Sequence, residues 1–191
     1  LAERVRAFVA VDVGDTVREE VARVQAALRG AAPGARWTAP ELCHVTLTFL
    51  GSVELESLPA ITAACRGAAD ENAPFELTFS GLGAFPRWRG ARVLWMGVGP
   101  GLDRLRRLQA SVERALLPLG FAPEPRGFSP HLTLARFKQP PDRSLAAAAG
   151  AYQGLPFGCV RVGDVRLMRS DLRPGGPVYT VLESLPLAGK G

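Results

Sequence analysis

Apolar positions along this chain follow two periods, one suited to strands and one to helices. Residues 5–11, VRAFVAV, are apolar almost throughout and predict a strand. Thr16 with Glu19 forms a capping-box pattern, which predicts a helix closing near Gly30. ARWT predicts a short strand, Pro40 interrupts it, and residues 44–50, HVTLTFL, predict a longer strand ended by Gly51. Ser52 is placed to cap a helix reaching Ala69, although Pro59 lies deep for a first-turn proline and favours a start near Leu58. PFELTFSGLGAF and ARVLWMGVG then predict a hairpin turned by PRWRG. Residues 102–117 carry apolar side chains at 102, 105, 108, 112 and 116 with charges between them, an amphipathic helix. A Pro- and Gly-rich loop leads into a strand over residues 131–137. The tail predicts a short Ala-rich helix at 144–149 and strands around 159–169 and 178–185, with RPGGP as the turn. Helices alternating with largely antiparallel strands predict an α+β fold.

The two halves echo each other. HVTLTFLG begins at His44 and HLTLARF at His131, 87 residues on and close to half the chain, so a pseudo-duplicated, two-lobed architecture is expected. Within a strand, residues i and i+2 share a face. His44 and Thr46 therefore point one way while Val45 and Leu47 point the other, and His131 and Thr133 repeat the arrangement. Each motif presents an imidazole beside a hydroxyl, anchored by alternating apolar residues.

Such a pair suits an anionic phosphate ester. One neutral imidazole takes a proton from an attacking water, and one protonated imidazole gives a proton to the departing alkoxide. Threonine hydroxyls donate to the non-bridging oxygens as charge builds there. The residues leave the two histidines interchangeable in these roles, and no metal or cofactor is required. A zinc site would need further ligands from scattered cysteines and carboxylates. An x-T-L following a given histidine arises by chance about once in 200 times, so a coincidence at both histidines of the chain is remote.

Composition limits the remaining possibilities. At 20.3 kDa and 47% hydrophobic residues the chain is long enough for a core, and one unit spanning residues 1–191 is expected. No run approaches the roughly 20 apolar residues of a membrane span, and Arg4, Arg6 and Asp12 break the apolar start, which predicts no membrane association and no secretory address. Cys43, Cys65 and Cys159 show no paired spacing and are expected as buried thiols in a reducing, cytoplasmic setting. The net charge of +5 comes almost wholly from arginine, Lys138 and Lys190 being the only lysines. It permits an anionic partner such as nucleic acid without demonstrating one. Arg87, Arg89 and Arg92 form one cluster; Arg104, Arg106 and Arg107 form another, expected on the wet face of a helix.

RAFVAVDV, HVTLTFLG, GLGAFPRWRGARVLWMGV, FSPHLTLARF and LMRSDLRPGGPVYTVLESLPL together resemble the 2H phosphoesterases. Among these they are most similar to the bacterial and archaeal RNA 2′,3′-cyclic phosphodiesterases, also described as 2′-5′ RNA ligases. The resemblance covers nearly the whole chain. It implies a bilobal α+β fold, with two antiparallel sheets lining a central cleft and helices outside. It implies opening of a 2′,3′-cyclic phosphate at an RNA end to a 2′-phosphate, with His44 as proton donor to the 3′ oxygen and His131 as proton acceptor from water. Thr46 and Thr133 would hold the phosphate. Arg136 stands where the family places an arginine, yet strand parity turns it away from His131 unless the strand bulges. Phe128, Trp37 and Phe85 are candidates to stack on a terminal base. The expected partners are RNA ends or nucleotides bearing a cyclic phosphate, with no protein partner, and a monomer. Leu1 in place of methionine points to processing or a trimmed end. Two further readings stand beside hydrolysis: the same site joining a 5′-hydroxyl to a cyclic phosphate, and a non-catalytic module gripping RNA ends. A protein-interaction module with buried histidines is the remaining one.

Overall fold

The structure is a computed structural model that describes residues 3–190, so the expectation attached to Leu1 lies outside the described residues. The elements run β1 (Arg4–Val11), α1 (Gly14–Leu28), β2 (Ala35–Trp37), β3 (Val45–Glu54), α2 (Leu58–Asp70), β4 (Phe75–Phe85), β5 (Val93–Val98) and α3 (Leu102–Leu116). They continue with β6 (His131–Phe137), α4 (Arg143–Gly150), β7 (Pro156–Val162), β8 (Asp164–Arg173) and β9 (Gly176–Pro186). The strands build two antiparallel sheets, ordered β3-β1-β8-β9 and β2-β6-β5-β4-β7. This is the α+β, two-sheet architecture expected of the motifs, with one H-x-T strand in each sheet.

Alternate residues of the strands carry the apolar core. Val5, Ala7, Val9 and Val11 of β1, Val45 and Leu47 of β3, and Leu132 and Leu134 of β6 all enter the apolar core. On α1, Val17, Val21, Val24 and Leu28 recur at helical spacing and are fully buried. Burial of side chains of this size contributes roughly 1.5–3 kcal/mol each. Helix α1 packs against β7 of the second sheet, whereas α2 covers β8 and β9 of the first and meets α3. With the helices on the outer faces, the polar faces of the sheets are left to one another.

Three local expectations are corrected. The Thr16–Glu19 capping box does not form: α1 begins at Gly14, whose φ of +70° lets the chain turn directly from strand to helix, and Thr16 lies inside the first turn. Gly51 does not end β3. It pairs with Ala7 at φ +71°, leaving Leu50 as an extra residue in a bulge, and the strand runs on to Glu54. Cys159 is exposed, because β7 lies at the edge of its sheet, whereas Cys43 and Cys65 are buried. All three thiols are free. Pro59 falls in the first turn of α2, as the start at Leu58 requires. No helix of the described residues is long and apolar enough to cross a membrane.

Candidate active site

His44 immediately precedes β3 and His131 opens β6. Both rings are fixed in the same way. His44 Nδ1 bonds the Leu42 carbonyl at 2.8 Å, and His131 Nδ1 bonds the Ser129 carbonyl at 2.7 Å, each two residues upstream. A carbonyl oxygen only accepts, so Nδ1 carries the hydrogen and, in the neutral ring, Nε2 keeps its lone pair. The chain thereby sets one tautomer at both positions.

The motif strands lie against each other across the two sheets: the Cys43 thiol reaches the Thr133 carbonyl at 3.9 Å, and charge on His131 opposes protonation of His44. Thr46 and Thr133 are half-buried, sharing a face with their histidines. Arg136 joins them by way of a bulge. The register passes from Trp95↔Thr133 to Leu94↔Ala135, leaving Leu134 as an extra residue. Leu134 and Ala135 are consequently both buried, and Arg136 is exposed on the side of His131 and Thr133. A matching shift in β3 leaves Leu47 unmatched between Ala10↔Thr46 and Val9↔Thr48. The fourth residue of H-x-T-L is thus the bulged residue in both copies.

Burial pushes both histidines below their ordinary value of 6.5, against the opposing pull of the carbonyls that hold them. Their other neighbours differ in sign. The Asp12 carboxylate raises His44, whereas the Arg136 guanidinium further lowers His131. Asp12 is itself held by Arg18 and by Arg166, the latter at 3.4 Å.

Aromatic rings frame both imidazoles. Phe8 stacks on His44 at 4.8 Å, and Tyr179 meets it edge-on at 5.2 Å. Phe85 meets His131 edge-on at 4.9 Å, with Trp95 at 6.5 Å. Of the three stacking candidates, Phe85 therefore stands at the site, while Phe128 and Trp37 pack against the apolar core. Phe8, Tyr179 and Trp95 were not legible as site residues, because they come from strands distant in sequence and carry no motif. Arg36 registers with Arg136, and its guanidinium lies beside Gly176 at the start of β9.

Two facing sheets each deliver an imidazole of fixed tautomer beside a hydroxyl, an arrangement chemically able to take up one proton and release another at an anionic ester. The profile of the 2′-5′ RNA ligase superfamily matches residues 13–174, and the chain belongs to this family. A Methanothermobacter thermautotrophicus protein named RNA 2′,3′-cyclic phosphodiesterase is 39% identical over 94% of this chain and 97% of its own length. One of the same name from Archaeoglobus fulgidus is 39% identical over 91% and 96%. Among solved structures, one from Thermus thermophilus superposes with a TM-score of 0.84 at 32% identity, covering 97% of this chain and all of that one. E. coli LigT complexed with 3′-AMP superposes at 0.75 with 26% identity, covering 97% and 99%.

Proposed function

We propose that the protein hydrolyses RNA 2′,3′-cyclic phosphate ends to 2′-phosphomonoesters. Water attacks phosphorus while His131 Nε2 accepts its proton; the P–O3′ bond breaks, and His44 Nε2 delivers a proton to the departing 3′ oxygen. Thr46, Thr133 and Arg136 bind the non-bridging oxygens, whose charge grows in the transition state. The single observation that carries the reading is the pair of imidazoles on facing strands, each with Nδ1–H held by a carbonyl two residues upstream so that Nε2 is left to exchange a proton; which ring serves as acid and which as base follows the resemblance to the family. The relatives named for this activity support the substrate class. Free thiols fit the cytoplasm as its place of action.

The test is incubation, with chelator present, of a short RNA ending in a 2′,3′-cyclic phosphate, followed by identification of the terminal phosphate. A 2′-phosphate product is expected, with loss of about 100- to 10,000-fold in kcat for His44→Ala and for His131→Ala. A 3′-phosphate product, or turnover indifferent to both substitutions, overturns the reading.

A further inference from the structure

Strand β2 lies at the edge of the second sheet, beyond β6. Its middle residue, Arg36, registers with Arg136, while its neighbours Ala35 and Trp37 register with Phe137 and Ala135. Phe137 and Ala135 are buried in the core, so Arg36 and Arg136 share the opposite face, the one that carries His131 and Thr133. Two guanidiniums thus stand directly opposite each other on paired strands, where like charges repel.

The chain does not relieve that repulsion with its own carboxylates. On the first sheet Arg4 is paired with Glu54, Arg166 with Asp164 and Arg169 with Asp171. Arg36 and Arg136, both exposed, make no ion pair among the described residues. The charge of Arg136 acts on His131 and on Tyr179, which places it at the reacting centre. Arg36 stands one strand further out, and its Nη2 reaches towards the opposite sheet, where a Cβ at Gly176 would lie 3.3 Å away. One unneutralised arginine at the centre and another at the rim suit a ligand with phosphates in series. Each guanidinium forks onto one phosphate, and strands about 4.8 Å apart carry side chains long enough to reach two successive ones.

We propose that Arg36 binds the phosphodiester immediately upstream of the terminal nucleotide and so makes the protein favour the end of an RNA strand over a cyclic mononucleotide, which rests on the phosphodiesterase reading above. Arg136 takes the cyclic phosphate and Arg36 the next. Their mutual repulsion is relieved by a ligand that brings two negative charges.

The test compares two dinucleotides that end in a 2′,3′-cyclic phosphate and differ only in the linkage between the nucleosides. One linkage is a charged phosphodiester and the other an uncharged methylphosphonate. In the intact protein kcat/KM is expected to favour the charged linkage by about 10- to 100-fold, the size of one charge-assisted contact. Arg36→Met abolishes the preference, and Arg36→Lys keeps part of it. With the charged dinucleotide, the dependence of log kcat/KM on log salt concentration becomes shallower by about 0.7 in Arg36→Met. The urea midpoint does not fall, because the substitution removes a repulsion. An intact protein indifferent to the linkage would overturn the proposal. Equal losses on both dinucleotides would do the same, since they would assign Arg36 to the cyclic phosphate or to the fold. If neither dinucleotide is turned over, the phosphodiesterase reading fails by itself. Calorimetric affinity for the same two linkages in dinucleotides ending in a 2′-phosphate, with the intact protein and with Arg36→Met, then decides the role of Arg36 independently.

Discussion

The side-chain amide of Gln25, buried on α1, donates to the carbonyl of Leu134 at 3.1 Å. It also donates to Thr38 at 2.7 Å, and the Leu134 carbonyl further accepts the backbone N–H of Thr38. Leu134 is the extra residue of the β6 bulge, and the bulge is what turns Arg136 to the face of the histidines. A helix whose other buried residues are apolar thus gives one position to holding this irregularity.

Replacing Gln25 by leucine leaves that buried carbonyl with one partner fewer and is expected to cost about 1–3 kcal/mol, read as a lower urea midpoint. It should also raise KM through misplacement of Arg136. In an Arg136→Met background the KM effect of Gln25→Leu should vanish while the stability loss remains, a separation that a double-mutant cycle measures.

The opposite neighbours of the two histidines predict separable changes in the pH–rate profile. With both rings below 6.5, kcat/KM is expected to peak on the acid side of that value. Removing the guanidinium in Arg136→Met lets His131 bind a proton more readily and moves the acid limb to higher pH. Asp12→Asn withdraws support from the protonated form of His44 and moves the alkaline limb to lower pH. Shifts of both limbs together in either variant would contradict the assignment of acid and base.

Stability should follow the same pair. Each histidine has a folded value below its unfolded 6.5, so the unfolded chain binds the extra protons and stability rises with pH across the interval between the two values. The contribution is complete above 6.5 and is lost as pH falls through and below it. Urea titrations from pH 7.5 to about 5 should show a decline that a His44→Gln, His131→Gln double variant lacks.

The thiols should divide cleanly. Burial pushes Cys43 and Cys65 up to about 12, so both stay protonated and inaccessible at neutral pH, whereas Cys159 lies at the surface. Iodoacetamide applied to the folded protein is expected to label Cys159 alone, and all three once urea is added. Mass spectrometry of the peptides reads the result.

Most strands and helices were legible because a period of two or of 3.6 is written into neighbouring residues and needs nothing from elsewhere in the chain. The start of α1 was misplaced for an equally local reason: Thr16 and Glu19 match a capping pattern, but Gly14 offers the chain an earlier turn that such a pattern does not represent. Of the candidate residues, His44, Thr46, His131 and Thr133 were fixed by alternation from the core-facing Val45, Leu47, Leu132 and Leu134. Phe128 and Trp37 were chosen by residue type, and in the folded chain they pack against the core.

By itself, then, the sequence determined which faces of two strands would carry imidazole and hydroxyl, because alternation obeys backbone geometry alone. Tertiary structure decided three other matters. It brought Arg136 round through a bulge held by Gln25, 109 residues earlier. It set Phe8, Tyr179 and Trp95 beside rings to which no motif connects them. It also placed a carboxylate near one histidine and a guanidinium near the other. Bulges, ring contacts and fields arise between segments that meet only when both sheets have formed, and a one-dimensional pattern has no coordinate for that meeting.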